Sequence, residues 1–399
     1  MSADVEQLKE RACQFIDTHA QTLIDVSHQI HANPEENYEE HFAAELLCRT
    51  STDLGLSADK GAYGAPTGFV ADMGVGNTVC IMSEYDALPD IGHGCGHNVI
   101  AAAGLGAAVA LGSIATNAGG RVRYLGTPAE EGGGGKILMA KNGALTNVDV
   151  AMMVHSADAD LTTIDAIALQ QLLVEYFGEE SHAAAAPHRG RNALDAAVLG
   201  YMGVATLRQH ILPTERVHGV FRSAGEKPNI VPRQASTEWY VRSDTITTLN
   251  ELKPRVLAAL ESGAHACGCT SKHTWVGTPY ADMITNETLS ASYVLNAARI
   301  GRTVSDPRVS GHRVVGSTDM GNVSHLVASI HPMIASAPHN TAIHTSAFAE
   351  HSRGPLADAA VIDGAKAMAL TAIDFWTSAQ MRTAVQADFM RANPDKDVL

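Results

Sequence analysis

The chain has 399 residues, of which 45% are hydrophobic and 18% charged, and its formal net charge is -15. That length and balance imply a large buried core in one big domain or two unequal ones. The negative charge excludes a nucleic-acid surface and gives no support for an acidic lipid surface, leaving small molecules as the expected partners.

The N-terminal stretch MSADVEQLKERACQFIDTHAQTLIDVSHQIH is polar and helix-like. It has no continuous apolar core, so no signal peptide is expected, and no apolar segment of membrane length is expected further on. The six cysteines, at 13, 48, 80, 95, 267 and 269, do not form a disulfide pattern and read as reduced thiols, which makes the cytoplasm the expected compartment. Strand-like TGFVADMG, TVCIMSEYDAL, RVRYLGTP and VDVAMMVHS follow two N-terminal helices, with helix-like VIAAAGLGAAVALG and KILMAKNGAL between them. This alternation predicts an α/β fold: a mostly parallel sheet flanked by helices on both faces. Near Ala166 the pattern changes to strand, helix, strand, strand, helix, strand, the order of a ferredoxin-like α+β module. The expected organisation is a first part of the main domain over 1–166, an inserted module over 167–284, and the rest of the main domain over 285–399.

Polar groups fall where the predicted strands end. SEYDALP places Asp86 after one strand, GTPAEEGGGG places Glu130 and Glu131 after the next, and MMVHS places His155 after a third. Ligands of open α/β sheets bind at that edge. Cys95 and His97, in GHGCGHN, sit where a loop passes into a helix, and the helix dipole there favours a thiolate. Taken singly, Cys95 reads as a small buried hydrophobe, His155 as a core histidine and the paired glutamates as a solvated turn. Together they are donors that a divalent metal accepts, with the thiolate favouring zinc. A Cys95/His97 nucleophile would leave Glu130, Glu131 and His155 without a role, and EEGGGGK lacks the spacing of a phosphate loop. A water polarised by a metal and a neighbouring carboxylate uses every piece.

CGH, PAEEGGGG, a histidine ending a strand and a late HT-x-x-F resemble, in order and spacing, the di-metal aminoacylase and carboxypeptidase metallopeptidases. EYDALPDIGHGCGHN, STDMGNVSHLVASIHP and AIHTSAF place the likeness in the amidohydrolase branch, near β-alanyl-lysine dipeptidase and the aminobenzoyl-glutamate hydrolase subunits. The resemblance spans nearly the whole chain. It implies the metal ligands Cys95, His97, Glu131, His155 and His344, the general base Glu130, and Asp86 as the carboxylate that orients the centre. In the inserted module it implies His182 of SHAAAAPHRGRNAL polarising the scissile carbonyl, with Asn229 of PNIVP and Arg242 of YVRSD gripping the substrate carboxylate.

Two positions depart from many relatives. Glu84 stands where they place a first metal histidine, and Asn98 follows CGH where they have aspartate. The late motif also lacks their usual proline, and His339, His331 and His325 compete with His344. His93 and His188 read as loop or supporting residues, and Cys267 and Cys269 as free thiols. The implied protein is a metal-dependent amidohydrolase that cleaves N-acyl or N-aminoacyl amino acids. It carries a pair of zinc ions, with manganese, cobalt or nickel as alternatives, and forms a homodimer through the inserted module. A dipeptidase for β-alanyl-type dipeptides is the alternative within that chemistry, and a non-catalytic ligand-binding homologue the alternative outside it.

Overall fold

The structure, a computed structural model, describes residues 4–310 and 315–399, and the chain divides into two compact units. One comprises Met1–Asp165 with Met283–Asp397, the other Ala166–Asp282.

In the first unit α1 (Val5–Thr18), α2 (Ala20–Ala32) and α3 (His41–Asp53) precede the sheet, one helix more than the sequence predicts. The strands β1 (Ala58–Lys60), β2 (Phe69–Gly74), β3 (Asn77–Ser83), β4 (Gly120–Gly126) and β5 (Val150–Met152) join Ala328–Ile330 in one six-stranded sheet. Its order is β1-β2-β4-β3-β5 followed by Ala328–Ile330. The last four are parallel, while β1 and β2 run antiparallel, so the sheet is mixed where the sequence predicts a mostly parallel one. The reason lies in the Gly74-Val75-Gly76 turn. It joins β2 to β3 without pairing them, and β4 enters between the two. Gly74 and Gly76 both have positive φ, and a Cβ on either would strike the backbone carbonyl of Gly120 or Gly119, so only glycine lets β4 pass this closely.

β3 is buried on both faces, as its VCIMS run requires of a central parallel strand. Above it lies α4 (His97–Ala118), whose alanines and glycines admit close neighbours. A Cβ at Gly104 would meet Ser83 Oγ, and one at Gly106 would come within 2.8 Å of Leu23 and 2.9 Å of Ala365. This helix is long and apolar enough to cross a membrane by length and composition, which corrects the expectation that no such segment exists. Of its apolar window 89% is buried inside the protein, against the sheet, α1, α2 and the helix Pro355–Thr377. A helix apolar on all sides is what a doubly covered core position demands.

The second unit is a four-stranded antiparallel sheet in the order Thr270–Tyr280, Ala168–Phe177, Gln234–Ser243, Arg216–Ser223. Alternate residues of Ala168–Phe177, from Ala168 to Tyr176, are buried. The helices Ala193–Leu207 and Ile246–Ala266 pack on each other and on the sheet. All six cysteines of the chain are free thiols.

Candidate metal centre

Because β3, β4 and β5 are parallel, their C-terminal ends share one edge of the sheet. The chain leaves β3 through Glu84 and Asp86, β4 through Thr127 to Glu131, and β5 through Met153 to His155. The loop Gly92–Asn98 crosses this edge. Gly96 is left-handed (φ 73), and a Cβ there would run into Ser156 Oγ. That tight passage lets Cys95 turn inward and starts α4 at a fully buried His97. Ala129 and His344, with φ of 58° and 62°, are also left-handed, a strain that concentrates at functional sites. Glu40 holds Ala129 in place, one carboxylate oxygen accepting from its N–H at 2.8 Å and the other from Thr67 Oγ1 at 2.7 Å.

Hydrogen bonds determine which imidazole atoms face the centre. His97 Nδ1 lies 2.9 Å from the Asp86 carbonyl and 3.0 Å from its Oδ1; both are acceptors, so Nδ1 carries the proton. His155 Nδ1 donates to the Ser156 carbonyl at 2.8 Å, which turns its Nε2 lone pair towards Cys95 Sγ, 3.6 Å away. Asp86 also accepts from the Glu131 N–H at 2.9 Å, tying the loop of His97 to that of Glu131.

Around His97 Nε2 stand Glu84 Oε2 at 3.6 Å and Glu130 Oε2 and Glu131 Oε1, each at 3.9 Å. His97 Nε2, Glu84 Oε2 and Glu131 Oε1 are buried without a hydrogen-bond partner. Glu84 Oε2 and Glu131 Oε1, gathered at such distances on His97 Nε2 without a hydrogen-bond partner, crowd negative charge, and a cation resolves the repulsion. The residues therefore fit a divalent metal. Donor atoms of Cys95, His97 and His155 lie within 4.8 Å of one another, as do those of Cys95, Glu131 and His344, and those of His97, Glu130 and Glu131. All five ligands implied by the sequence are thus brought together. His344, half-exposed, places its Nε2 3.2 Å from Glu131 Oε1.

Electrostatics follow from burial and crowded charge. Burial, then the charges of Glu84 and Glu131, hold the Glu130 carboxyl well above its usual range. Burial and the Glu131 charge push the Cys95 thiol up, whereas a bound cation would favour the thiolate. Burial pulls His97 down, but Asp86 and Cys95 outweigh it and draw a second proton towards Nε2, a demand that a metal ion also answers. His155 is pushed down to about 4, chiefly by burial, and so offers a neutral ring at pH 7. Asp86 stays below the usual carboxylate range despite its burial, because His97 and the Glu131 N–H stabilise its charge.

Sequence reasoning left three residues at this edge without a role. Lys136, fully buried in α5 (Gly135–Lys141), donates to Glu84 Oε1 and, at 2.7 Å, to Asp319 Oδ1. Removing one partner from such a buried ionic set costs about 3–5 kcal/mol. His331 has a buried ring with no partner on either nitrogen, 5.4 Å from the His155 ring. Lys136 closes EEGGGGK and Asp319 lies in STDMGNVSHLVASIHP, but neither stretch reveals their pairing, because the Lys136 contacts with Glu84 and Asp319 span 52 and 183 positions. The lesser candidates are occupied elsewhere. Asn98 donates to Ser27 Oγ and the Ser352 carbonyl, His93 Nε2 bonds the Ile30 carbonyl, His325 Nδ1 accepts from the Asp395 N–H, and His339 and His188 are exposed.

In the second unit His182 and Asn229 line one cavity of about 580 Å³. His182 Nδ1 accepts from the N–H groups of Ala184 at 3.2 Å and Ala185 at 3.1 Å, which leaves the proton of a neutral ring on Nε2. Arg242 is not brought to them: it lines a different cavity, of about 510 Å³, with Arg208, Arg216 and His218.

A sheet of this kind with acidic, thiol and imidazole donors on its carboxyl edge defines a metallohydrolase, and the chain belongs to peptidase family M20/M25/M40, whose model matches residues 80–372. It is 37% identical over 403 residues to the Xaa-Arg dipeptidase of Mus musculus, covering 97% of this chain and 93% of that one. It is 33% identical over 271 residues to a p-aminobenzoyl-glutamate hydrolase protein of Escherichia coli (strain K12), covering 62% and 56%. A crystal structure from Bacillus subtilis, described as a dinuclear metal-binding peptidase of the M20 family, shares the fold with a TM-score of 0.68 at 18% identity, over 90% of this chain and 98% of that one. The protein is accordingly a hydrolase of the metallopeptidase type, as the sequence resemblance implied.

Proposed function

We propose that the protein is a cytoplasmic amidohydrolase that uses a pair of zinc ions to split the amide between an acyl or aminoacyl group and an amino acid with a free carboxylate. The observation that carries this reading is the convergence of Glu84 Oε2 and Glu131 Oε1, both buried without a hydrogen-bond partner, on His97 Nε2, with Glu130 Oε2 3.9 Å from the same atom. Cys95, His97, Glu131, His155 and His344 would hold the metal, with Asp86 fixing His97 and the Glu131 loop. Bound there, the metal supplies Lewis acidity and makes water nucleophilic at neutral pH. Glu130 takes the proton of the attacking water and passes it to the leaving amine; the surroundings that raise its proton affinity suit it to both acts. His182 presents its Nε2–H to the scissile carbonyl oxygen and Asn229 grips the substrate carboxylate, whereas Arg242, which lines a separate cavity, does not share that grip on this geometry.

The identity with an Xaa-Arg dipeptidase across 97% of the chain favours dipeptides as substrates, with arginine-ending ones the first to try and β-alanyl ones next. The test is turnover by the metal-loaded protein on a panel of such dipeptides and N-acyl amino acids. Cleavage of the amide in any class supports the reading, and no turnover on any of them would favour a ligand-binding homologue.

The inserted ferredoxin-like module, 167–284, serves in this reading as lid and dimerisation surface. Its helix Ala193–Leu207 exposes Val198, Leu199 and Met202, and its edge strand Arg216–Ser223 exposes Val220. An edge strand beside apolar helix residues is a surface on which a second copy can pair. His182 of one subunit is expected to complete the centre of the other. Mixing inactive His182→Ala and Glu130→Ala chains under subunit exchange should then restore part of the activity. Exchange without recovery would place His182 with its own chain's centre.

A further inference from the structure

The edge of the sheet holds a second acidic cluster, of which the proposed chemistry uses only Glu130. Carboxylate oxygens of Glu84, Glu130 and Asp319 lie within 4.8 Å of one another, all three residues buried. By geometry alone this is a site for a hard divalent ion. A lysine fills it instead. Lys136 Nζ donates to Glu84 Oε1 and Asp319 Oδ1, and the Lys136 backbone N–H donates to Asp319 Oδ2 at 2.8 Å, closing a ring between side chain and main chain.

A lysine in the first turn of a short helix ordinarily reaches for solvent. Here the start of α5 is pressed onto the loop that carries Glu130, because Gly135 lies so close to the Pro128 carbonyl that a Cβ would collide with it. The following side chain therefore points into the acidic cluster and is 2% exposed. A separate observation shows where the cluster faces. With Glu84 Oε1 held by the ammonium, the other oxygen, fully buried and without a hydrogen-bond partner, turns to His97 Nε2 at 3.6 Å.

We propose that Lys136 is the resident cation of the Glu84–Glu130–Asp319 cluster: its ammonium stands where a divalent ion would otherwise bind, and so confines metal to the adjoining Cys95, His97, Glu131, His155 and His344. It acts as a positioning residue, fixing Glu84 and Asp319 around the base Glu130 without touching the reacting atoms. The proposal rests on the metal reading above, and opposite readouts separate the two. Cys95→Ser lowers the metal count if that reading holds, whereas Lys136→Ala raises it if this one does.

The experiment loads metal-free wild type, Lys136→Ala and Lys136→Ala/Asp319→Asn with manganese, which accepts oxygen donors. Bound metal per chain and thermal unfolding are measured for each. Lys136→Ala should hold one manganese ion more than wild type and gain more in Tm on loading, and both gains should vanish in the double variant. A Lys136→Ala chain that folds only with manganese present supports the proposal equally. An unchanged count and unchanged shift overturn it, and so does a Lys136→Ala chain that manganese cannot fold, because the ion then fails to stand in for the ammonium.

Discussion

Glu130→Gln is expected to bind metal as the wild type does while kcat falls by about 10²–10⁴-fold, the usual contribution of one positioned acid–base group. The amide keeps the shape of the side chain and cannot accept a proton from water. The five implied ligands are other residues, so the loss should fall on kcat rather than on metal content. Glu130 sits 3.9 Å from His97 Nε2, and burial with the Glu84 and Glu131 charges gives it a strong hold on a proton. Replacement by glutamine also removes one of three crowded carboxylates, so folding stability should not suffer. Metal analysis beside kcat on a substrate that the wild type cleaves checks this; near-normal turnover would remove Glu130 from the base role.

What could be read in advance is what the chain encodes locally. Cys95 and His97 stand two apart at a helix start, Glu130 and Glu131 are adjacent, and His155 follows three apolar residues at a strand end, so each motif carries its own placement on the parallel edge. The sheet order was less legible. A two-residue link such as Val75-Gly76 suggests a hairpin, and only the later β4, entering between its strands, separates β2 from β3. The extent of α4 was also missed: the helix-like run VIAAAGLGAAVALG covers 99–112, whereas the helix spans His97–Ala118 and so reaches membrane length. Lys136 was hidden for a different reason. After four glycines it looks like a failed phosphate-loop lysine, and its meaning resides in Glu84 and Asp319, which the fold alone brings to it. Glu40 and His331 are likewise defined by contacts far along the chain, with Ala129 and His155 respectively.

Removing divalent ions with a chelator is expected to abolish turnover, and zinc to restore it in the wild type. Without an ion, the acceptors on His97, Glu84 and Glu131 face one another and the Cys95 thiol keeps its proton, so nothing at the centre activates water. Cys95→Ser tests the donor set more sharply. A hydroxyl is a harder and weaker donor than a thiolate, so zinc affinity should fall by more than the about 10–100-fold that loss of a supporting residue around a metal costs, and manganese should lose less. The serine variant should therefore recover activity better with manganese than with zinc. The rival account, in which Cys95 attacks the substrate itself, makes the opposite forecast: full metal, no turnover with any ion, and a substrate-derived adduct on the wild-type thiol. Geometry favours the ligand. The sulfur is buried, its proton is held by burial and by the Glu131 charge, and the imidazole nitrogen 3.6 Å away presents a lone pair from a ring already fixed by Ser156. Two lone-pair donors directed at one point suit a shared cation better than a nucleophile, and metal retention in Cys95→Ser decides between them.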